Sequence, residues 1–290
     1  MQIPGFTDDF AETEGGQIAY SHGGDGPPVL LLHGFPQTRA MWREIAPVLA
    51  RRFTVIAADL RGYGDSVKPG EADQMTFRHM ADDQAQLMAA LGFDRFHLAG
   101  HDRGARTAHR LALDFPARVA SLTVMDIVPT HLLLSELTHD VAKAYYHWFF
   151  LAQPSPLPER MIAADPDAYF ESCLLGWGGS ALSDFNADAL AAYRTSWRRP
   201  ETIAAMCDDY RAAIQFDMAL DQADLDRTVN CPALVLWGAD GIMAQAFEVP
   251  ETWAPRLSNM QSTALPGGHF FPESAPRQTA DVLYKFLSKV

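Results

Sequence analysis

Cysteine and positive charge are both scarce in this chain of 290 residues. The three cysteines, Cys173, Cys207 and Cys231, are odd in number and widely spaced, which gives neither a disulfide framework nor a metal-ligand pattern. We therefore expect a reducing, cytoplasmic location. Lysine and arginine together number 23 against 36 aspartates and glutamates, so the net charge is −13. Nucleic acid and anionic membranes require a basic surface, and we expect neither as a partner.

Long apolar segments are also missing. The longest apolar runs, such as Trp148 to Ala152, are far shorter than the roughly 20 residues needed to cross a bilayer. The segment from Met1 to Ala11 contains two aspartates and no apolar run, so we expect no signal peptide. Apolar residues make up 48% of the chain and charged residues 20%, which indicates a globular protein rather than a disordered one.

Short, continuously apolar runs indicate strands that are buried on both faces. They are Val29 to Leu32, Phe53 to Ala57, Phe96 to Ala99, Leu122 to Met125 and Ala233 to Trp237. Segments of helical periodicity lie between them, including one that Thr76 is expected to cap at its start and Gly92 at its end. This alternation predicts an α/β fold with a mostly parallel central sheet flanked by helices.

One interval between predicted strands is much longer than a crossover needs. Residues 127–232 separate the fourth strand from the fifth, whereas a βαβ unit takes only about 30 residues. We predict a helical cap at residues 129–213, inserted between core segments 1–128 and 214–290. It would cover the sheet edge where open α/β sheets bind ligands.

The candidate nucleophile lies in the sequence G-H-D-R-G at residues 100–104. This pattern follows a predicted strand and precedes a helix, which is the setting of a nucleophile elbow, but Asp102 stands at the nucleophile position. An aspartate nucleophile suits attack at a tetrahedral carbon and forms an ester that water then opens. The alternative is a turn or helix-capping aspartate.

Two loops offer partners for this nucleophile. The segment His33 to Pro36 follows the first predicted strand, where an oxyanion loop would lie, so the backbone N–H groups of Phe35 and Arg103 are candidate oxyanion donors. Near the C-terminus, His269 is the candidate general base, and a solvated loop histidine is the alternative.

The acid that orients the base has two candidates. Asp240 follows the last predicted strand but lies one residue before the position that the W-G-x-x-D spacing requires, where Gly241 stands. A shift of one residue re-aims the side chain. Asp126, at the end of the strand Leu122 to Met125, is therefore the favoured acid, and Asp240 is interpreted as a turn residue.

At these motifs the chain resembles the haloacetate dehalogenases of the α/β-hydrolase fold, which include fluoroacetate dehalogenases. The likeness extends over nearly the whole chain. It is densest at residues 33–38, 100–106, 125–130, 146–159, 208–212 and 268–272. The D-R-G-A-R elbow and the Y-H-W sequence of the predicted cap are its specific signals.

The resemblance implies roles for particular residues and a homodimer. It assigns Asp102 as nucleophile, Asp126 as acid, His269 as base, Arg103 and Arg106 as ligands of the substrate carboxylate, His147, Trp148 and Tyr210 as halide donors, and Trp177 as a pocket residue. Paired arginines beside a catalytic carboxylate also suit a carboxylate substrate on chemical grounds, with a structural ion pair as the alternative. Without the resemblance, the aromatic run Tyr145 to Phe150 would indicate a packed cap core.

The sequence thus predicts a haloacetate dehalogenase that acts on small 2-haloacids and needs no metal or organic cofactor. An epoxide hydrolase would share Asp102 and the loop His33 to Pro36 but would have no use for paired arginines. A haloalkane dehalogenase is disfavoured for the same reason, since its substrate carries no carboxylate. A non-catalytic ligand-binding protein on this fold would often lack the catalytic set that is present here.

Overall fold

A computed structural model describes residues 3–176 and 180–290. In this part of the chain, eight strands form one sheet in the order β1-β2-β4-β3-β5-β6-β7-β8. The pairings β1–β2 and β2–β4 are antiparallel, and the other pairings are parallel. The strands are β1 (Thr7–Thr13), β2 (Gly16–Gly23), β3 (Pro28–Leu32), β4 (Thr54–Ala58), β5 (Phe96–His101), β6 (Val119–Met125), β7 (Ala233–Gly238) and β8 (Met260–Leu265).

The five predicted strands correspond to β3 through β7, and the α/β prediction is confirmed. These strands are apolar along their length because helices cover both faces of the sheet. Leu30 of β3, for example, pairs with Ile56 of β4 and Leu98 of β5, and all three side chains are buried. The carboxyl ends of β3, β5, β6 and β7 therefore meet at one sheet edge.

Helices of the core connect and cover these strands. They are α1 (Ala46–Leu49), α2 (Phe77–Ala90), α3 (Arg103–Asp114), α12 (Ile242–Ala246), α13 (Val249–Trp253), α14 (Phe271–Ser274) and α15 (Pro276–Leu287). The side chain of Thr76 caps α2 by accepting a hydrogen bond from the His79 N–H, as predicted. Just after the end of α2, Gly92 adopts a φ of 81°, the left-handed conformation that favours glycine at this position.

The long interval between β6 and β7 is helical. It contains α4 (Thr130–Ser135), α5 (His139–Ala144), α6 (Tyr146–Leu151), α7 (Leu157–Ala164), α8 (Pro166–Gly176), α9 (Ala187–Trp197), α10 (Pro200–Ala212) and α11 (Met218–Ala223). A π-helical turn, Ala213–Asp217, joins α10 to α11, so the predicted cap boundary at residue 213 falls inside a continuous helical segment. Across residues 3–176 and 180–290, each helix falls short of the length and apolar character needed to span a membrane.

Candidate active site

Asp102 occupies a sharp turn between β5 and α3. Its backbone has φ 47° and ψ −115°, which L-residues adopt only under strain. Glycines on either side make the turn possible, because a Cβ at Gly104 would overlap the backbone carbonyl of Leu32, and one at Gly100 would overlap that of Gly104. The strand, strained turn and helix have the predicted arrangement of a nucleophile elbow.

The loop His33 to Pro36, predicted to be the oxyanion loop, holds the Asp102 carboxylate. The Phe35 N–H donates to Asp102 Oδ2 at 3.0 Å, and a Cβ at Gly34 would lie 2.6 Å from the Asp102 Cβ. His33 fixes this loop, because its Nε2 accepts from the Leu60 N–H at 3.1 Å, which leaves its Nδ1–H to donate to the Gly34 carbonyl at 2.8 Å. Since helix α3 begins at Arg103, the backbone N–H of that residue has no acceptor within the helix.

His269 and Asp126 form a buried pair. His269 Nδ1 lies 2.7 Å from Asp126 Oδ2, and Asp126 Oδ1 accepts from the Gly238 N–H at 2.8 Å. Burial opposes the charged imidazolium, but the hydrogen bond and the charge of Asp126 outweigh it and raise the pKa of His269. Asp240 lies outside this pair, where its exposed side chain accepts from the Gly267 N–H at 3.1 Å.

His101 is a residue of the site that the sequence did not single out. Its Nε2 lies 2.8 Å from the His269 carbonyl oxygen, and because a carbonyl can only accept, the proton must be on Nε2. Burial, with the neighbouring His269, lowers the pKa of His101 to about 4. His101 is therefore a neutral donor that fixes the backbone of His269, the predicted base.

Arg103 is held in an ion pair that the sequence left as an alternative. Its Nε donates to Asp209 Oδ2 at 2.9 Å, and its Nη2 donates to Asp209 Oδ1 and to the Asp209 carbonyl oxygen, the latter at 3.0 Å. Tyr63 donates its hydroxyl proton to the same Oδ2 at 2.5 Å. Neither Asp209 nor Tyr63 was predicted. Within the described residues, Nη1 of Arg103 has no hydrogen-bond partner.

Arg106 has a different environment. Its Nη1 donates to the Val128 carbonyl and to Thr130 Oγ1, each at 3.0 Å. No carboxylate of the described chain forms an ion pair with it. Burial lowers the pKa of Arg106 to about 10, against the opposing attraction of Asp102, so the guanidinium remains charged at neutral pH. Arg106 is thus a buried cation without a paired anion.

The three predicted halide donors lie together against the oxyanion loop. The His147 ring stacks on Phe35 at 5.7 Å between centroids, and the Tyr210 ring meets Phe35 edge-on at 5.1 Å. Trp148 contacts Tyr210 at 5.2 Å. All three are buried. Burial lowers the pKa of His147 and raises that of Tyr210, so both are neutral and each retains a proton to donate. Trp177, predicted to line the same pocket, lies outside the described residues.

In residues 3–176 and 180–290, no group of three or more His, Cys, Asp or Glu side chains is placed to hold a metal ion.

The sequence profile of the alpha/beta hydrolase fold matches residues 27–276. The chain belongs to the α/β-hydrolase family. Asp102 stands in this α/β hydrolase where many members carry serine at the elbow.

Individual α/β hydrolases are similar over nearly the full length. A fluoroacetate dehalogenase from Burkholderia sp is 54% identical over 92% of this chain and 88% of its own. A soluble epoxide hydrolase from Corynebacterium sp. (strain C12) is 30% identical over 96% of each chain. The crystal structure of an α/β hydrolase from Nostoc sp PCC 7120 superposes with a TM-score of 0.97 at 45% identity and covers 100% of both chains. The first match confirms the resemblance seen in the sequence.

Proposed function

We propose that this α/β hydrolase is a haloacetate dehalogenase, which converts a 2-haloacetate and water to glycolate, halide and a proton. The observation that carries the proposal is a buried, unpaired guanidinium, Arg106, one helical turn after an aspartate nucleophile. Such a cation stabilises a bound carboxylate. The 54% identity with the Burkholderia fluoroacetate dehalogenase supports the same substrate class.

In the first step, Asp102 displaces the halide. The Phe35 N–H holds Oδ2, which leaves Oδ1 to attack the α-carbon in line with the carbon–halogen bond. Burial opposes ionisation of Asp102, but His269 and the two arginines outweigh it and lower its pKa, so the carboxylate is ready to attack. The carbon–halogen electron pair leaves with the halide, toward the N–H and O–H donors of His147, Trp148 and Tyr210.

In the second step, water opens the ester. His269 takes a proton from the water, which attacks Cγ of Asp102, and Asp126 stabilises the imidazolium that forms. The backbone N–H groups of Phe35 and Arg103 hold the oxyanion of the tetrahedral intermediate. The Cγ–O bond to glycolate then breaks, and the leaving oxygen takes the proton. Because this attack does not touch the α-carbon, a chiral substrate is inverted overall.

Four further assignments belong to the proposal. The helical segment at residues 129–213 acts as a cap on a core of residues 1–128 and 214–290, and Trp177 lines the pocket. The enzyme is a homodimer and is cytoplasmic. The likeness to haloacetate dehalogenases supports the first three, and three free cysteines, two of them buried, suit a reducing compartment.

The deciding experiment measures halide release from fluoro-, chloro- and bromoacetate, with Asp102→Ala as the blank. A chloroalkane of similar size and an epoxide form two comparison arms. We expect release from the haloacetates and little from the chloroalkane, which lacks the carboxylate that Arg106 binds. Diol formation from the epoxide without halide release from any haloacetate would instead identify an epoxide hydrolase.

A further inference from the structure

Arg103 is fixed more completely than a flexible substrate ligand would be. Asp209 occupies Nε and Nη2, and the guanidinium carbon lies 4.4 Å from the Tyr210 ring centroid and 5.0 Å from that of Trp148. A bidentate carboxylate holds the guanidinium plane in one orientation. Both side chains are fully buried, so water does not compete for these hydrogen bonds. Nη1 is left as the remaining donor.

Asp209 is itself held in place by a residue of the core. It lies on α10, between β6 and β7, while Tyr63 lies in the loop after β4 and donates to Asp209 Oδ2. Burial opposes the charge on Arg103, but the carboxylate of Asp209 outweighs this and raises the pKa of Arg103. Burial also raises the pKa of Asp209, but both of its oxygens accept hydrogen bonds, as those of an ionised carboxylate do. The chain Tyr63–Asp209–Arg103 therefore joins the core to the helix that carries Tyr210.

The ion pair also changes the charge of the site. Asp209 compensates the guanidinium of Arg103, whereas Arg106 has no carboxylate partner in the described chain. The two arginines are thus not equivalent. Arg106 supplies the guanidinium charge that remains available to an anion, and Arg103 supplies one directed N–H.

We propose that Asp209 is a positioning residue for the dehalogenation step. It orients Arg103 so that Nη1 aligns the bound carboxylate, and it leaves Arg106 as the arginine of the described site that has no ion-pair partner. Without Asp209, the guanidinium group of Arg103 would be free to turn toward the neighbouring Asp102 and form an ion pair with that nucleophile. The inference rests on the proposed function, since it concerns how the haloacetate is aligned for attack.

The test compares Asp209→Asn with wild type in two measurements, kcat for chloroacetate and inhibition by acetate, which is the substrate without its halogen. The amide loses the charge and points N–H groups at the N–H groups of Arg103. We expect kcat to fall about 10²-fold through misalignment. We also expect acetate to bind about threefold tighter or more, because the site gains a positive charge. If Asp209 had a purely structural role, the substitution would lower kcat and would also weaken acetate binding.

Two other variants keep the result interpretable. Asp208→Asn removes a neighbouring carboxylate on the same helix that pairs with Arg211 at 2.7 Å, and should leave both measurements unchanged. Tyr63→Phe removes one hydrogen bond to Asp209 but keeps the ion pair, and should lower kcat about tenfold. It replaces Asp209→Asn as the test if that variant does not fold. Unchanged kcat in a folded Asp209→Asn, or weaker acetate binding, overturns the inference. Absence of turnover in wild type overturns the proposed function instead.

Discussion

The Phe35 N–H donates a hydrogen bond to Asp102 Oδ2, so the proposed oxyanion loop holds the proposed nucleophile before any substrate binds. The same N–H can then follow one oxygen through the reaction. In the proposed mechanism, Oδ2 is the carboxylate oxygen at the start, the carbonyl oxygen of the ester, and the oxyanion during hydrolysis. This contact therefore needs no rearrangement when charge develops, which is how pre-organised donors lower a barrier.

Replacing His269 with alanine should stop the reaction at the ester. The first step needs only Asp102, whereas the second needs a base for water. We expect one equivalent of halide per active site and a covalent adduct of the substrate's carboxymethyl group on Asp102. Intact-mass spectrometry after incubation with chloroacetate measures the adduct, and Asp102→Ala is its blank. An unmodified variant, with wild type turning over normally, contradicts the two-step scheme.

Removing the Tyr210 hydroxyl should slow halide departure. Fluoride is small and strongly hydrated, so it depends more than chloride on donors in the pocket. We expect Tyr210→Phe to reduce the rate of the first step by about 10²–10³, with the larger loss for fluoroacetate. Single-turnover halide release measures it. Tyr193→Phe is the matched control, since that buried hydroxyl donates to Glu273 at 2.9 Å and should affect neither halide. An equal loss for both halides would argue against halide donation.

Lowering the pH should make the ester accumulate. Asp126 and Asp102 raise the pKa of His269 against the effect of burial, so the base is lost at a higher pH than for a free imidazole. Esterification removes the charge of Asp102, which moves the pKa of His269 back down in the intermediate. Below the pKa that His269 has in the ester intermediate, ester hydrolysis should slow about tenfold per pH unit. Asp102 stays ionised because its pKa is lowered, so the first step continues.

Rapid quenching followed by mass spectrometry measures this ester fraction between about pH 5 and 8. We expect the modified fraction of wild type to rise as the pH falls. A fraction that stays constant, with halide release slowing in parallel, would mean that His269 does not limit the second step.

Asp217 should destabilise the fold at alkaline pH. Its buried carboxylate accepts from the Phe77 N–H at 3.0 Å, and burial raises its pKa from 3.8 to about 8. The folded state therefore binds this proton more tightly than the unfolded state, and stability is lost as the pH rises from about 4 to 8. Asp217→Asn keeps an acceptor without the charge.

The Tm difference between Asp217→Asn and wild type tests this. We expect it to be small near pH 4 and to increase in favour of the variant up to about pH 8, by about 2–4 °C for each kcal/mol regained. A difference that does not change with pH would show that Asp217 does not titrate as described.

The strands that could be predicted are those buried on both faces, because their composition is apolar whatever their neighbours are. β1 and β8 were not predicted, since most of their residues are half-buried or exposed and polar residues interrupt them. β2 forms an antiparallel hairpin with β1, and its place in the sheet depends on pairing with β4 rather than on its own sequence.

The residues of the site likewise fall into those that could be predicted from the sequence and those that could not. Asp102 has a local motif, and spacing favours Asp126 over Asp240, so both could be selected from the sequence. Asp209 could not, because it lies 106 residues from Arg103 and 146 from Tyr63, and ion pairs over such separations leave no local pattern. The sequence also treated the two arginines alike, because only the fold shows which one has a partner.

Strain in the backbone has a consequence for how this protein can change. Among the described residues other than glycine, positive φ occurs at Asp102 and Asp126, which are both carboxylates of the site. Such conformations cost about 1–3 kcal/mol each. Glycine at either position would relieve this strain but would remove a carboxylate that the proposed mechanism uses, so backbone strain and activity make opposite demands here. A lineage released from its substrate would be expected to lose the aspartates here first, while keeping the rest of the fold.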